Sequence, residues 1–290
     1  MRVLRATFDE LADGARLDDG PRRTLRVSTP ASSATSGQAQ LPSQGHEKDG
    51  SSEISVVYFR AGYGPDDYPQ GSRAWEVRTL LERSAAIKCP TIALQLAGAK
   101  KVQQVLAEPG VLEHFLLPDD ASSGANEPAF TPADLALLRS TFSGLWPLDA
   151  RSALGREGLR LARAEPARFV LKPQREGGGN NVYREAIPPF LDALPEGGAE
   201  GYILMELIKP PSGVGNYLMR AGGGGSDVDG PVLAADVVSE LGIYSTALFR
   251  EDGGIVEQQA GGYLLRTKGR ESDEGGVAVG YSVLDSVLLV

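Results

Sequence analysis

Phe169-Val-Leu-Lys-Pro-Gln-Arg-Glu-Gly-Gly-Gly-Asn-Asn181 opens on three apolar residues and runs into cations, a carboxylate, three consecutive glycines and amides. Apolar residues that stop at a lysine read as a short strand, Phe169 to Lys172, feeding a glycine-rich loop. In such a loop backbone N–H groups approach an anion closely, a lysine neutralises phosphate oxygens, and a carboxylate or amide oxygen takes Mg²⁺. The composition suits a nucleotide site, and it equally suits a flexible surface turn. Neither GxGxxG nor a following Gly-Lys-Ser/Thr is present, which excludes a Rossmann fingerprint and a P-loop.

Downstream, Tyr202 to Glu206 reads as a second strand ending in a carboxylate. Val232 to Leu241, carrying Glu240, Tyr244 to Arg250 and Gly262 to Lys268 read as further strands, and Gly275 to Gly280 as a second glycine-rich turn before a last apolar strand. This half predicts an antiparallel-rich α+β unit with charges at strand ends. Upstream, a strand is expected over Arg2 to Thr7 and a helix over Phe8 to Ala15, followed by a disordered insertion over 28–52. Ile54 to Phe59 reads as one strand, with Arg60 and Tyr63 just past its end, where open α/β sheets collect ligands. Apolar spacing, in Ala74, Val77, Leu80, Leu81 and Ala85, predicts an amphipathic helix over Ser72 to Lys88, with Glu76, Arg78, Glu82 and Arg83 interleaved. Further helices are expected over Lys100 to Leu106, Pro109 to Leu117 and Ala133 to Leu145. The lysine pair at 100–101 opposes the helix dipole, which fits either an anionic ligand or plain solvation. Polar insertions at 118–132 and 222–229 read as tolerated loops.

At 290 residues, 41% hydrophobic and 23% charged, the chain is large enough for one or two globular units. A net charge of −9 argues against a broad nucleic-acid or anionic-membrane surface. The one cysteine, Cys89, excludes an internal disulfide and is expected to be buried beside a helix end; the two histidines, His46 and His114, leave little material for triad or metal chemistry. No stretch reaches the ~18 to 20 apolar residues of a membrane span, and the N-terminus has no signal-peptide core, so the expected location is cytoplasmic.

Phe59-Arg-Ala-Gly-Tyr63, Leu94-Gln-Leu-Ala-Gly-Ala-Lys-Lys-Val-Gln-Gln104, the 169–181 run, Tyr202-Ile-Leu-Met-Glu206, Ser239-Glu-Leu-Gly-Ile-Tyr244, Leu264-Leu-Arg-Thr-Lys268 and Gly275-Gly-Val-Ala278 together closely resemble eukaryotic glutathione synthetase, an ATP-grasp ligase. The motifs occur in the family's order over nearly the whole chain. The resemblance implies ligation of glycine to γ-glutamylcysteine through an acyl phosphate, with ATP as co-substrate and Mg²⁺ as cofactor. Carried over by motif, Lys100 and Lys172 contact ATP phosphates, and Glu176 is also a Mg²⁺ ligand. Gly177, Gly178, Gly179, Asn180 and Asn181 with Tyr183 form a lid over the nucleotide. Met205, Glu206, Leu207 and Ile208 line adenine and ribose, and Glu240, Lys268 and Glu274 match further nucleotide positions. Arg60, Tyr63 and Arg266 hold γ-glutamylcysteine, Arg266 also as the catalytic group, while Val277 and Ala278 cover the substrate.

The resemblance assigns 1–99 to a remnant α/β substrate-binding domain and 100–290 to the ATP-grasp nucleotide-binding and lid region, in chains that form homodimers. In the family an N-terminal part precedes the segment that Met1 to Thr7 resembles and adds two Mg²⁺ ligands and several substrate contacts. A metal held by Glu176 alone among protein groups would bind weakly. The expectation is therefore a chain short of full competence by itself. Two alternatives stay open: a ligase for another amine such as β-alanine, and a catalytically incomplete nucleotide-binding fragment.

Overall fold

The computed structural model describes residues 3–28, 50–117, 130–175, 179–218, 232–234, 236–250, 252, 254–273, 277 and 282–286. The chain divides into two compact units, Met1–Glu176 with Val182–Met205, and Gly177–Asn181 with Glu206–Val290.

The first unit begins with α1, Phe8–Gly14, started by a capping box in which Thr7 accepts from the Glu10 N–H and Glu10 reaches back to the Thr7 N–H at 2.7 Å. That box turns residues 3–7 into a helix approach, so of the strand expected over Arg2 to Thr7 none forms among the described residues 3–7. Strands β1 (Ala15–Leu17), β2 (Leu25–Ser28) and β3 (Ser51–Ile54) form an antiparallel sheet. Ser28 pairs with Ser51, so both ends of the expected insertion belong to this sheet, while 29–49 lie outside the described residues. The single strand expected over Ile54 to Phe59 is broken at Ser55: β4 (Val56–Tyr58) leaves the first sheet and pairs in parallel with β5 (Ile87–Cys89). Between them runs α2, Ala74–Glu82, which ends six residues before the expected Lys88, because Ile87 and Lys88 are taken into β5. Cys89 is exposed at the end of that strand, against the expectation of a buried thiol beside a helix. Leu25, Val27, Phe59, Val77, Leu81 and Ala86 form the core here.

Helices α3 (Ile92–Ala97), α4 (Lys100–Ala107), α5 (Val111–Leu116) and α6 (Pro132–Ser140) follow. The last stops short of Leu145, which instead opens β6, Leu145–Pro147. Next come α7 (Ala153–Ala164), β7 (Phe169–Pro173), β8 (Val182–Tyr183), α8 (Ile187–Ala193) and β9 (Tyr202–Glu206). The four strands order as β6-β9-β7-β8. Helices α7 and α8 cover this sheet through a core of Leu148, Leu161, Ala162, Phe169, Leu171, Ile187, Leu191 and Leu204. Burying such side chains contributes about 1.5 to 3 kcal/mol each, which gives β7 a rigid base. α7 approaches closely because Gly155 and Gly158 face the Asp149 and Pro147 carbonyls, where a Cβ would collide.

In the second unit β10 (Asn216–Leu218) pairs antiparallel with β11 (Val232–Ala234). β12 (Val237–Phe249) and β13 (Ile255–Gly269) form a long hairpin, with β14 (Val283–Asp285) on the far side of β13. The two strands expected over Val232 to Leu241 and Tyr244 to Arg250 are therefore divided elsewhere. The chain breaks before Val237 and then runs unbroken through Gly242 and Ile243, since β13 opposes it along its length. The mixed helix and sheet content agrees with an α+β class.

Candidate functional site

β7 is buried over Phe169, Val170 and Leu171 and emerges at Lys172. Two residues on, Gln174 accepts the Lys101 backbone N–H at 3.0 Å. α4 has no side-chain cap of its own, since its N-cap is Ala99. Gln174 thus satisfies one of the unpaired N–H groups at the helix start and ties Lys172 to the turn carrying Lys100. Of the two lysines, Lys101 folds back to Gln104 at 2.6 Å, and Lys100 stands half-buried at the first helical position. The other end of α4 is held by Arg139, whose guanidinium donates to the Ala107 and Glu108 carbonyls at 3.2 and 3.1 Å and pairs with Glu113 at 2.5 Å. A cation there complements the helix dipole, and Arg139 holds the Glu113 carboxyl down at about 2.

The loop bearing Arg60 and Tyr63 joins the same neighbourhood. Asp66 pairs with Arg175, next to Gln174. Gln95 of α3 donates to the Gly62 and Tyr63 carbonyls at 2.8 and 3.1 Å. Tyr63 and Gly64 N–H groups both donate to Asp67, at 2.8 and 3.2 Å. Three segments distant in sequence, 60–67, 95–101 and 172–175, are thereby joined within the first unit. Arg60 and Tyr63 remain exposed. Met205 lies on β9, opposite Leu145, and Tyr183 on β8, opposite Val170. A cleft of ≈ 640 Å³ in this unit lies elsewhere, between β1 and α2 beside Trp75, and shares none of these residues.

In the second unit Glu240 and Arg266 are cross-strand partners, and Arg266 Nη2 meets Glu240 Oε1 at 2.5 Å. Lys268, opposite Val238, projects to the same face by the two-residue period of the strand. Thr267 points the other way and is fully buried. It contacts Ser239 Oγ at 2.9 Å and donates to Asp285 at 2.6 Å, where Asn216 also donates at 2.6 Å. The Thr267 hydroxyl, ahead of the Ser286 N–H and Asn216, holds the Asp285 carboxyl below its ordinary range, against desolvation. This network fixes the strand beneath Arg266 and Lys268. Gly179 adopts φ +85° and, with Asn180, is exposed; Asn181, Glu206, Leu207 and Val277 are half-buried, and Ile208 is 77% exposed. Glu176, Gly177, Gly178, Glu274 and Ala278 lie outside the described residues.

Among the described residues no group of three or more His, Cys, Asp or Glu side chains could hold a metal. An ion carried in on nucleotide phosphates is held by one or two protein carboxylates together with those phosphates; Glu176, the carboxylate that the resemblance assigns to Mg²⁺, lies outside the described residues. Sequence reasoning missed Tyr68, Arg78, Gln95 and Gln174. One signal was available: Arg78 falls in the buried series Ala74, Val77, Arg78, Leu81, at the helical spacing of an inward face, and it is 2% exposed.

A family model described as eukaryotic glutathione synthase, ATP binding domain, matches residues 11–289. The chain is 45% identical over 245 residues to the chloroplastic glutathione synthetase of Arabidopsis thaliana, covering 83% of this chain and 40% of that one. It is 41% identical over 287 residues to the glutathione synthetase of Homo sapiens, covering 99% and 50%. With that of Dictyostelium discoideum it is 42% identical over 290 residues, covering 100% and 52%. The chain spans about half the length of these curated relatives. Among solved structures, a glutathione synthetase like-effector from Globodera pallida in apoform matches with a TM-score of 0.59 at 20% identity, over 98% of this chain and 48% of that one, a likeness of fold.

Proposed function

The chain belongs to the eukaryotic glutathione synthase family, and from that premise we propose that it is the ATP-grasp, nucleotide-binding part of a ligase joining glycine to γ-glutamylcysteine. The observation that carries the reading is the joining of 60–67, 95–101 and 172–175 through Gln95, Gln174 and the Asp66–Arg175 pair. It gives a phosphate-binding lysine loop and an acceptor-binding loop a common anchor.

In this reading the cysteinyl carboxylate of γ-glutamylcysteine attacks the γ-phosphorus of ATP. An O–P bond forms as the bond to ADP breaks, leaving an acyl phosphate. The glycine amine then attacks the acyl carbon, phosphate departs and the amine gives up a proton. Lys100 and Lys172 neutralise phosphate oxygens, Arg60 and Tyr63 hold the acceptor, and Arg266 stabilises charge at the reacting carboxyl. Met205, Glu206, Leu207 and Ile208 receive adenine and ribose, and Glu240, Lys268 and Glu274 complete the nucleotide contacts. The 177–181 segment with Tyr183, and Val277 with Ala278, exclude water from the hydrolysable intermediate. Mg²⁺, held by Glu176 together with the phosphates, supplies charge neutralisation when bound. Histidine and a covalent nucleophile have no part in this chemistry, which consists of aligning anions.

Among the described residues no helix is long and apolar enough to cross a membrane. We assign the protein to the cytosol, as a homodimer. ADP release with ATP, Mg²⁺ and γ-glutamylcysteine, with and without glycine, tests the function. Glycine-dependent ADP supports it, and competition by β-alanine decides the amine. ATP binding without glycine-dependent turnover would reduce the role of this chain to nucleotide binding.

A further inference from the structure

Arg78 is a buried cation placed where a leucine would serve the helix, and its partners explain why it is there. Its Nε and Nη2 lie 3.0 and 2.8 Å from Glu82 Oε1, which also accepts the Ile92 N–H at 3.0 Å and so anchors α3. Its guanidinium sits 3.8 Å from the ring centroid of Phe59, the residue before Arg60. Its Nη1 donates to Tyr68 Oη at 3.4 Å and Gln95 Oε1 at 3.3 Å. Arginine has donors only. Tyr68 Oη and Gln95 Oε1 must therefore accept on the inner side, which leaves the hydroxyl proton and the amide N–H groups facing outward. There Tyr68 donates to the Gly62 carbonyl at 3.2 Å and Gln95 to the Gly62 and Tyr63 carbonyls. Gly62 has φ +81°, and a Cβ on it would stand 2.7 Å from Tyr68 Oη. Both the backbone conformation and the close approach thus require glycine between Arg60 and Tyr63.

We propose that Tyr68 and Gln95, polarised by buried Arg78, are positioning residues that hold the Gly62–Tyr63 backbone so that Arg60 and Tyr63 present to the carboxylate-bearing acceptor dipeptide. The proposal rests on the ligase reading for its ligand, and on the bracket geometry for its mechanism. A merely structural ion pair under a loop would stabilise the unit without regard to which substrate is bound.

Two variants separate these roles. Tyr68→Phe keeps the ring stacked on Trp75, at 3.9 Å between centroids, and removes only the hydroxyl. Gln95→Glu keeps an acceptor for Arg78 and replaces outward N–H donors by a carboxylate facing carbonyls. Each is measured for backbone hydrogen exchange over 60–64, for melting temperature, and for KM of γ-glutamylcysteine and of ATP. The expected result is faster exchange at 60–64 and a KM for γ-glutamylcysteine raised about tenfold, as loss of one to two hydrogen bonds implies, with the KM for ATP within about twofold of the parent. Unchanged exchange at 60–64, or KM values for both substrates rising together with a lowered melting temperature, overturns the proposal. If the parent shows no glycine-dependent ADP release, the ligase reading fails instead. Exchange at 60–64 then decides the positioning claim alone: acceleration in both variants upholds it, and its absence overturns it.

Discussion

Lys172 is where a buried strand gives way to the glycine-rich loop, since Phe169, Val170 and Leu171 anchor the backbone and the next residue emerges. In the proposed function its ammonium group neutralises phosphate oxygens. Lys172→Met is expected to lower kcat/KM for ATP by about tenfold to a hundredfold, the size of a lost charged hydrogen bond, with an unchanged melting temperature; activity equal to the parent would remove Lys172 from the site. Glu113 makes a different residue-level prediction. Its carboxyl, paired with Arg139, titrates at about 2 instead of 4.5. A lowered folded pKa contributes stability that is present above 4.5 and lost as pH falls toward about 2. The gap in denaturation midpoint between the parent and Glu113→Gln should accordingly close between those two pH values, and a gap independent of pH would refute the pairing.

Elements in this chain are held by side chains brought from elsewhere as much as by their own signals. α4 starts on lysines and an alanine cap, so Gln174 at its N-terminus and Arg139 at its C-terminus supply what the local sequence does not. α7 owes its seat to two glycines against the Asp149 and Pro147 carbonyls. Gly158→Ala sets two effects against each other: alanine favours the helix by about 1 kcal/mol, whereas overpacking costs typically about 1 to 3 kcal/mol. The contact is with backbone, which cannot rotate away, so the clash wins. Chemical denaturation should show a net loss, and a gain in stability would mean that α7 packs less tightly against β6 than described.

For the molecule as a whole, nucleotide binding should register as stability, because a ligand that binds only the folded state stabilises it. ATP with Mg²⁺ at a hundredfold excess over its dissociation constant is expected to add about 2.7 kcal/mol, seen as a melting shift of a few degrees; no shift at any ATP concentration would count against the nucleotide site. Local signals were legible for several elements. The helix expected from Phe8 forms as α1, the apolar run Tyr202–Glu206 appears as the same strand, and a helix opens at Lys100 as expected. The order of the motifs along the chain, read as a family resemblance, identified the family before any contact was seen. What the sequence alone determined was therefore local conformation and kinship, because periodicity depends on residues a few positions apart and motif order is written along the chain itself, without any fold. Tertiary structure decided the break at Ser55, the burial of Arg78, the exposure of Cys89 and the uninterrupted β12. It also decided the meeting of Asp66 with Arg175 and of Gln174 with Lys101. Each depends on a partner distant in the chain, whose hydrogen bond or buried surface outweighs the weaker local preference.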